Sequence, residues 1–165
     1  MLKTKIAVFV SGGGTNFEAL INAQENGKIP HGEIVLMVSS SRTAYALKRA
    51  ENHGIKSVVC SKKELGSQEK FEEEILKNLE ENDIQLIVLA GFMSILSNEF
   101  TKKYENRIIN IHPSLIPSFC GEGFYGLHVH EAALKKGVKV TGATVHIVNE
   151  IPDGGPIIMQ DRKSV

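Results

Sequence analysis

The stretch KIAVFVSGGGTNFEAL (residues 5–20) indicates how this chain folds, because it passes directly from a strand pattern through glycines to a helix pattern. The run KIAVFV is rich in β-branched and aromatic residues, as is typical of a buried strand. Phe17, Leu20 and Ile21 then recur at the spacing of one helix face. A buried strand that leads into a helix is the first half of a βαβ unit, so the stretch predicts an α/β fold.

The remaining sequence repeats this alternation. Helices are predicted at residues 44–53, around Phe71–Leu79, between 91 and 107, and at 129–136. Further strands are predicted at residues 33–40, 58–59, 86–91, 107–112, 139–148 and 156–160. Near-continuous apolar strands are typical of a sheet that is covered on both faces. We therefore predict an α/β fold with a mostly parallel sheet and helices on both faces, formed as a single domain by residues 1–165.

Composition excludes several classes of protein. Lys plus Arg and Asp plus Glu both number 19, and this zero net charge argues against a nucleic-acid partner. No apolar run has the length of a membrane span, and SGGGTN follows the N-terminal apolar run where a secretory signal would have a cleavage site. Cys60 and Cys120 follow no metal spacing and are interpreted as free thiols. We expect a cytoplasmic protein with no membrane partner.

The glycine loop SGGGTN (residues 11–16) is a candidate anion site. Glycines allow close approach of the backbone, and a helix N-terminus offers unpaired N–H groups. Thr15 or Asn16 could cap the helix or donate to a phosphate oxygen, and a tight turn without a ligand is the alternative. Phe17 stands where a dinucleotide fingerprint needs its third glycine, and the Gly-Lys-Ser/Thr ending of a P-loop is missing. One phosphate group fits this loop better than a dinucleotide.

A second candidate site lies in NIHPSLIP (residues 110–117). Asn110 and His112 point to the same face of a strand, about 6.6 Å apart along the chain for a rise of ~3.3 Å per residue. An amide N–H can stabilise an oxyanion and an imidazole can move a proton near neutral pH. Asp153, in NEIPDGGP, is a possible partner that would raise the pKa of His112. The alternative is a strand-end histidine, a turn-forming asparagine and a plain Asp-Gly turn.

Thr144 and His146 share a strand face and could form a second shell around this site. His112, His146 and Asp153 are residue types that bind metals, but they follow no compact ligand motif. We therefore predict no metal.

With these motifs in place, the chain resembles the folate-dependent formyltransferases, and among them phosphoribosylglycinamide formyltransferase. The similarity runs from Lys5 to Gln160 and rests on SGGGTN, LAGFMSIL, NIHPSLIP and GATVHIV followed by DGGPIIMQ, in the family's order and spacing. It implies a Rossmann-like formyltransferase fold. It also implies transfer of the formyl group of 10-formyltetrahydrofolate to the amine of glycinamide ribonucleotide, in purine biosynthesis.

The resemblance also implies residue roles. The catalytic residues would be Asn110 and His112, which would stabilise the oxyanion, and Asp153, which would tune His112. The substrate phosphate would be bound by Gly14, Thr15 and Asn16. The folate would contact Met93, Ser94, Ile95, Leu96, Asn110, Asn149, Glu150, Ile151, Pro152 and Asp153. The implied partners are these two small molecules, for a monomer or a homodimer.

The sequence departs from the family's common pattern in four places. Ser94 replaces a frequent Arg, and Gln68 stands where a basic residue often contacts folate. Residues 118–125 make a longer loop than in many members. The chain ends at Val165, where the family usually continues with a strand and a helix.

Three alternatives remain. A formyltetrahydrofolate hydrolase shares the His and Asp motifs, but usually carries an N-terminal regulatory domain. A methionyl-tRNA formyltransferase needs an RNA-binding extension and basic surface. A catalytically silent phosphate-binding module is the alternative from a different class.

Overall fold

The computed structural model describes residues 2–164, which fall into two compact units that meet in the chain between Leu96 and Ser97. The first unit contains β1 (Thr4–Val10), α1 (Thr15–Glu25), β2 (Gly32–Ser39), α2 (Ala46–Asn52), β3 (Lys56–Val59), α3 (Lys62–Leu65), α4 (Gln68–Glu81) and β4 (Leu86–Leu89). The second contains α5 (Asn98–Lys103), β5 (Ile108–His112), α6 (Leu127–Lys136), β6 (Val140–Ile147) and β7 (Ile157–Ser164).

The first unit is built around β1. This strand pairs in parallel with β2 on one side and β4 on the other, and β2 pairs in parallel with β3. Alternate residues of a strand face opposite sides of the sheet. Val8 and Val10 face one side, where they share a buried cluster with Phe17 and Ile21 of α1 and with Ala50 of α2. Burial of each of these large side chains stabilises the fold by about 1.5–3 kcal/mol.

The opposite face of β1 is covered by aromatic residues. The ring of Phe9 meets Phe92 edge to face at 5.2 Å between centroids, and Phe92 stacks on Phe71 of α4 at 6.5 Å. Ser67 caps α4 by accepting a hydrogen bond from the N–H of Lys70. The first unit therefore carries helices on both faces of its parallel strands.

The second unit is antiparallel in its pairing. β6 lies between β5 and β7 and pairs antiparallel with both. The register sets Asn110 opposite His146 and His112 opposite Thr144. This pairing brings two parts of the chain that are more than thirty residues apart to the same end of β5.

The predicted α/β class with a mostly parallel sheet is confirmed, with differences in detail. The strand predicted at residues 156–160 continues to Ser164, because β7 pairs along its length with β6. The helix predicted to begin at Val129 begins at Leu127, and the single turn α3 was not predicted. That both units form one domain from 1 to 165 stays a prediction, and its end residues Met1 and Val165 lie outside the described part. Among residues 2–164, no helix has the length and hydropathy needed to span a membrane.

Candidate active site

The glycine loop connects the end of β1 at Val10 to the start of α1 at Thr15. Gly14 has a φ of 70°, a backbone conformation that residues with a side chain rarely adopt. A Cβ at this position would lie 2.6 Å from the Cβ of Ala46. Gly13 has open space around it. Two separate constraints, on backbone conformation and on space, therefore require glycine at position 14.

The N-terminus of α1 has Gly14 as its N-cap, without a side-chain hydrogen bond. The alternative that Thr15 or Asn16 caps the helix is therefore wrong, because the chain has already entered the helix at Thr15. Both side chains are exposed. Backbone N–H groups in a first helical turn have no partner within the helix, and with glycines beside them they suit an anion.

Arg49 supports the glycine loop from α2. Its Nε donates to the carbonyl oxygen of Gly13 at 2.9 Å, and one of its terminal nitrogens lies 3.1 Å from Oε2 of Glu18 in the first turn of α1. The guanidinium adds positive charge beside the loop and neutralises Glu18, which would otherwise oppose an anion there.

The predicted folate segment, residues 93–96, follows β4 in the same unit. Met93 and Ile95 are 59% and 76% exposed, so their apolar side chains are available to a ligand. Ser94 and Leu96 are half-buried. Gln68, where the family often has a basic residue, donates from Nε2 to the carbonyl oxygen of Ile95 at 3.0 Å and to Glu72. Gln68 thus holds the segment's backbone.

The His112 cluster, which we define as Asn110, His112, His146 and Asp153, lies in the second unit. His112 Nδ1 is 3.4 Å from Asp153 Oδ2, and His146 Nε2 is 3.4 Å from Asp153 Oδ1. Asn110 Nδ2 lies 3.1 Å from His146 Nε2 and 3.5 Å from Asp153 Oδ1. The three residues predicted as catalytic are therefore brought together, with His146 as a fourth member.

Burial sets the electrostatics of this cluster. His112 and His146 are 4% and 2% exposed, and the Asp153 side chain is 13% exposed. Burial by itself raises the pKa of Asp153. The hydrogen bond with His146, the N–H of Gly121 and the charges of His112 and His146 outweigh burial and lower the pKa of Asp153 below its ordinary value. Asp153 is therefore a carboxylate at neutral pH.

Both ring nitrogens of His112 have partners. Nε2 lies 2.8 Å from the carbonyl oxygen of Phe119, which can only accept, so Nε2 carries a proton. Nδ1 faces the Asp153 carboxylate. The His112 ring is therefore held in one orientation between a backbone carbonyl oxygen and a carboxylate.

His146 orients Asn110. Its Nδ1 donates to the carbonyl oxygen of Ile147 at 2.9 Å, which leaves Nε2 toward Asn110 and Asp153. Nε2 accepts from the Asn110 amide when His146 is neutral and donates to Asp153 when it is protonated. The amide nitrogen of Asn110 is thereby directed into the cluster.

Asp153 belongs to the loop between β6 and β7, with a positive φ of 54°. Asp tolerates this left-handed conformation better than most residues. Earlier in the loop, Asn149 Oδ1 accepts from the N–H of Ile151 at 3.0 Å. Ile151 is 57% exposed, Glu150 and Pro152 are also exposed, and Asn149 is half-buried. The predicted folate residues of this loop thus present a mixed polar and apolar surface.

Thr144 holds the chain that follows His112. Its buried Oγ1 donates to the carbonyl oxygen of Ser114 at 2.7 Å and accepts from the N–H of Ile116 at 3.1 Å and from Nε2 of Gln160 at 2.9 Å. Thr144 thus holds the backbone of residues 114–116, and a supporting role for it in the site stays a prediction.

Two site contacts were missed by sequence reasoning. The carbonyl oxygen of Phe119 and the N–H of Gly121, which donates to Asp153 Oδ2 at 2.9 Å, are backbone groups of the longer loop at 118–125. No residue type marks a backbone contact, and the length of the loop was the only available signal. Among residues 2–164, no three or more His, Cys, Asp or Glu side chains form a group suited to hold a metal.

Comparisons with known proteins show the family to which the chain is similar. The family model described as formyl transferase matches residues 4–165. The phosphoribosylglycinamide formyltransferase of Haemophilus influenzae is 39% identical over 94% of this chain and 71% of its own length. The trifunctional purine biosynthetic protein adenosine-3 of Gallus gallus is 47% identical over 96% of this chain, which spans only 15% of that protein. The adenosine-3 proteins of two Drosophila species are matched over 11% of their length.

Solved structures give the same result. The crystal structure of phosphoribosylglycinamide formyltransferase from Bacillus halodurans has a TM-score of 0.90 and 40% identity, and the match covers 98% of this chain and 80% of that one. Glycinamide ribonucleotide transformylase 1 from Geobacillus kaustophilus has a TM-score of 0.91 and 37% identity, over 99% and 84% of the two chains. The predicted resemblance is thus confirmed, and the chain belongs to the formyl transferase family as a relative of the phosphoribosylglycinamide formyltransferases.

Proposed function

We propose that this chain transfers the formyl group of 10-formyltetrahydrofolate to the amine of glycinamide ribonucleotide in purine biosynthesis. The names of the similar proteins support this activity. The single observation that carries it is the His112 cluster, in which a buried imidazole lies between a carboxylate and a carbonyl oxygen, beside an oriented amide. Such a set of groups suits acyl transfer, where an oxyanion develops and a proton moves.

The residues present fit a folate donor. A folate has a ring system with polar edges, and Met93 and Ile95 are exposed apolar side chains that could pack against the faces of such a ring. Such a combination is typical of small-molecule sites. When bound, the donor supplies an activated one-carbon unit.

Asn110 acts first in the proposed mechanism. Its amide N–H, oriented by His146, stabilises the negative charge that develops on the formyl oxygen as the amine attacks. A single donor of this kind is often worth about 3 kcal/mol of barrier height. Because the amide is already held in place, little of this stabilisation is lost to reorientation.

His112 and Asp153 provide charge and proton transfer. His112, whose Nδ1 lies against Asp153, would donate a hydrogen bond to the same developing charge and pass a proton to the departing nitrogen of the donor, giving up its contact with the carbonyl oxygen of Phe119. Asp153 would orient His112 and help to accept the proton that the attacking amine must lose. No covalent bond to the protein is required.

The glycine loop is proposed to bind the phosphate of glycinamide ribonucleotide. The N–H groups of Gly14, Thr15 and Asn16 would donate to the phosphate oxygens, with the positive end of the α1 dipole behind them. The proposed partners are the two small molecules alone. The cytoplasmic location and the monomeric or homodimeric state remain predictions.

Formyl transfer in the purified protein tests this function. The protein is mixed with 10-formyltetrahydrofolate and glycinamide ribonucleotide, with His112→Ala as one control and a reaction without the amine as another. We expect formylated amine that disappears in the variant. Deformylation without the amine would support the hydrolase, and no turnover of either kind would contradict both enzyme assignments and favour the silent module.

A further inference from the structure

Ser11 connects the glycine loop to the segment at residues 93–96. It directly follows β1 and directly precedes Gly12. Its N–H donates to the carbonyl oxygen of Gly91 at 3.0 Å, and its Oγ accepts from the N–H of Met93 at 2.8 Å. Ser11 is thus part of the first proposed binding element and is hydrogen-bonded to Met93 of the second and to Gly91, two residues before it.

The position of the Ser11 hydroxyl is set from a second side. Ser40, just beyond β2, donates from its Oγ to Ser11 Oγ at 2.6 Å, and its N–H is held by the carbonyl oxygen of Val10 at 3.0 Å. Ser11 Oγ therefore accepts two hydrogen bonds, which fixes the direction from which Met93 N–H can be bound.

The segment at 93–96 is anchored on both sides of its exposed residues. Phe92 packs against Phe9 and Phe71, and Gln68 holds the carbonyl oxygen of Ile95. Between these anchors, Met93 and Ile95 project outward with most of their surface exposed. The N–H of Met93 is held by Ser11 Oγ, so loss of this bond should loosen the part of the segment that would meet a ligand.

We propose that Ser11 is a positioning residue that sets the glycine loop and residues 93–96 in one arrangement, so that binding of both substrates depends on its hydroxyl. This inference rests on the proposed function. The physical reason is that a ligand binds most tightly to groups already held in the bound geometry, and Ser11 holds groups of both elements.

The test compares three variants of the full chain. Ser11→Ala removes the acceptor for Met93 N–H and keeps the backbone bond to Gly91. Ser40→Ala is the matched control, because it removes a hydrogen bond to the same oxygen but leaves the bonds of Ser11 to Gly91 and Met93 in place. Gln68→Ala is the control for the segment alone, because its amide contacts Ile95 and not the loop.

Two kinds of measurement are needed. KM values and calorimetric dissociation constants are measured for glycinamide ribonucleotide and, separately, for the folate, with tetrahydrofolate as the calorimetric probe. Amide hydrogen exchange is followed at residues 12–16 and 91–95 without ligand. Amide exchange tests whether Ser11 holds both regions, even if the protein shows no formyl transfer.

We expect Ser11→Ala to weaken folate binding about fivefold and ribonucleotide binding about twofold, with kcat nearly unchanged, as the loss of one hydrogen bond would. Exchange should quicken in both regions. Gln68→Ala should weaken only folate binding, and Ser40→Ala should leave the binding of both substrates at the wild-type value, because the bonds from Ser11 to Gly91 and Met93 remain.

Faster exchange in the segment alone, or weaker binding of one substrate alone, would overturn the inference. So would equal effects of Ser11→Ala and Ser40→Ala. If the wild-type protein transfers no formyl group, the proposed function fails. The exchange measurement still decides the role of Ser11 in that case.

Discussion

The glycine loop presents backbone groups, whereas the His112 cluster is formed by side chains. The loop offers exposed backbone N–H groups on consecutive residues, and its geometry depends on the missing Cβ of Gly14. The cluster uses four mostly buried side chains from β5, β6 and the following loop. A backbone site is therefore sensitive to shape and conformation, whereas a side-chain site is sensitive to charge and hydrogen bonding.

The two sites also differ in their solvation. Exposed N–H groups keep their solvation until a ligand arrives, so the loop costs little stability. The buried imidazoles and the buried Asp153 carboxylate lose their solvation, and their hydrogen bonds and contacts with one another compensate for this loss. Loss of one member therefore affects the whole His112 cluster.

The largest effect is expected when His112 is removed. His112→Ala should lower kcat for formyl transfer about 10³-fold, because a positioned acid–base group contributes about 10²–10⁴. His130→Ala is the matched control, since His130 is exposed on α6 and should leave kcat unchanged. Steady-state rates of both variants, with thermal melts to verify folding, make the comparison. A His112→Ala protein with near-normal kcat would show that the cluster is structural.

Gly14→Ala tests whether the glycine loop requires glycine at position 14. The new Cβ would lie 2.6 Å from the Ala46 Cβ at a positive φ, so unfolding free energy should fall by about 1–3 kcal/mol. KM for glycinamide ribonucleotide should rise about tenfold or more, since the displaced loop can no longer direct its N–H groups. Denaturant titration and steady-state kinetics measure the two effects.

Gly13→Ala is the matched control for that change. A Cβ on Gly13 would meet no atom within 4 Å, so both stability and KM should stay close to wild type. Equal losses in the two variants would contradict the specific requirement for glycine at position 14.

The pH dependence of stability should differ in sign between the two units. Asp153 in the second unit has a lowered pKa in the folded state. Its contribution is therefore present above the ordinary value of 3.8 and is lost as pH falls through the lower folded value. Wild type should exceed Asp153→Asn in melting temperature at about pH 7, and this gap should narrow towards about pH 3. A gap that does not change over this range would contradict the assignment.

His53 in the first unit should show a smaller effect of the opposite sign. The hydrogen bond with Glu25 at 2.8 Å raises the pKa of His53, burial opposes the rise, and Glu18 adds to it. The stabilisation from His53 is therefore complete below its ordinary pKa of 6.5 and is lost as pH rises through its higher pKa in the folded state. Thermal melts of His53→Gln and wild type should differ more at about pH 5 than at about pH 9. A difference in melting temperature that grows with pH would contradict the raised pKa of His53.

Local sequence was sufficient to predict the α/β class and the glycine loop. A strand, a glycine turn and a helix are consecutive in residues 5–20, and the periods of 2 and 3.6 residues are properties of neighbouring side chains. The same period places Asn110 and His112 on one face of β5 without further information. By contrast, the possibility that Thr15 or Asn16 caps α1 is wrong, because the exact first residue of a helix depends on the φ of a single residue.

Only the tertiary structure decided which distant groups meet. Asp153 reaches His112 because β6 pairs antiparallel with β5 and the loop then turns back at a positive φ. The contact of Phe119 with His112, and that of Ser11 with Met93, involve backbone groups that every residue possesses. Sequence carries the chemistry of side chains and the periodicity of neighbours, whereas long-range backbone contacts follow from packing of the whole chain, and no short stretch determines them.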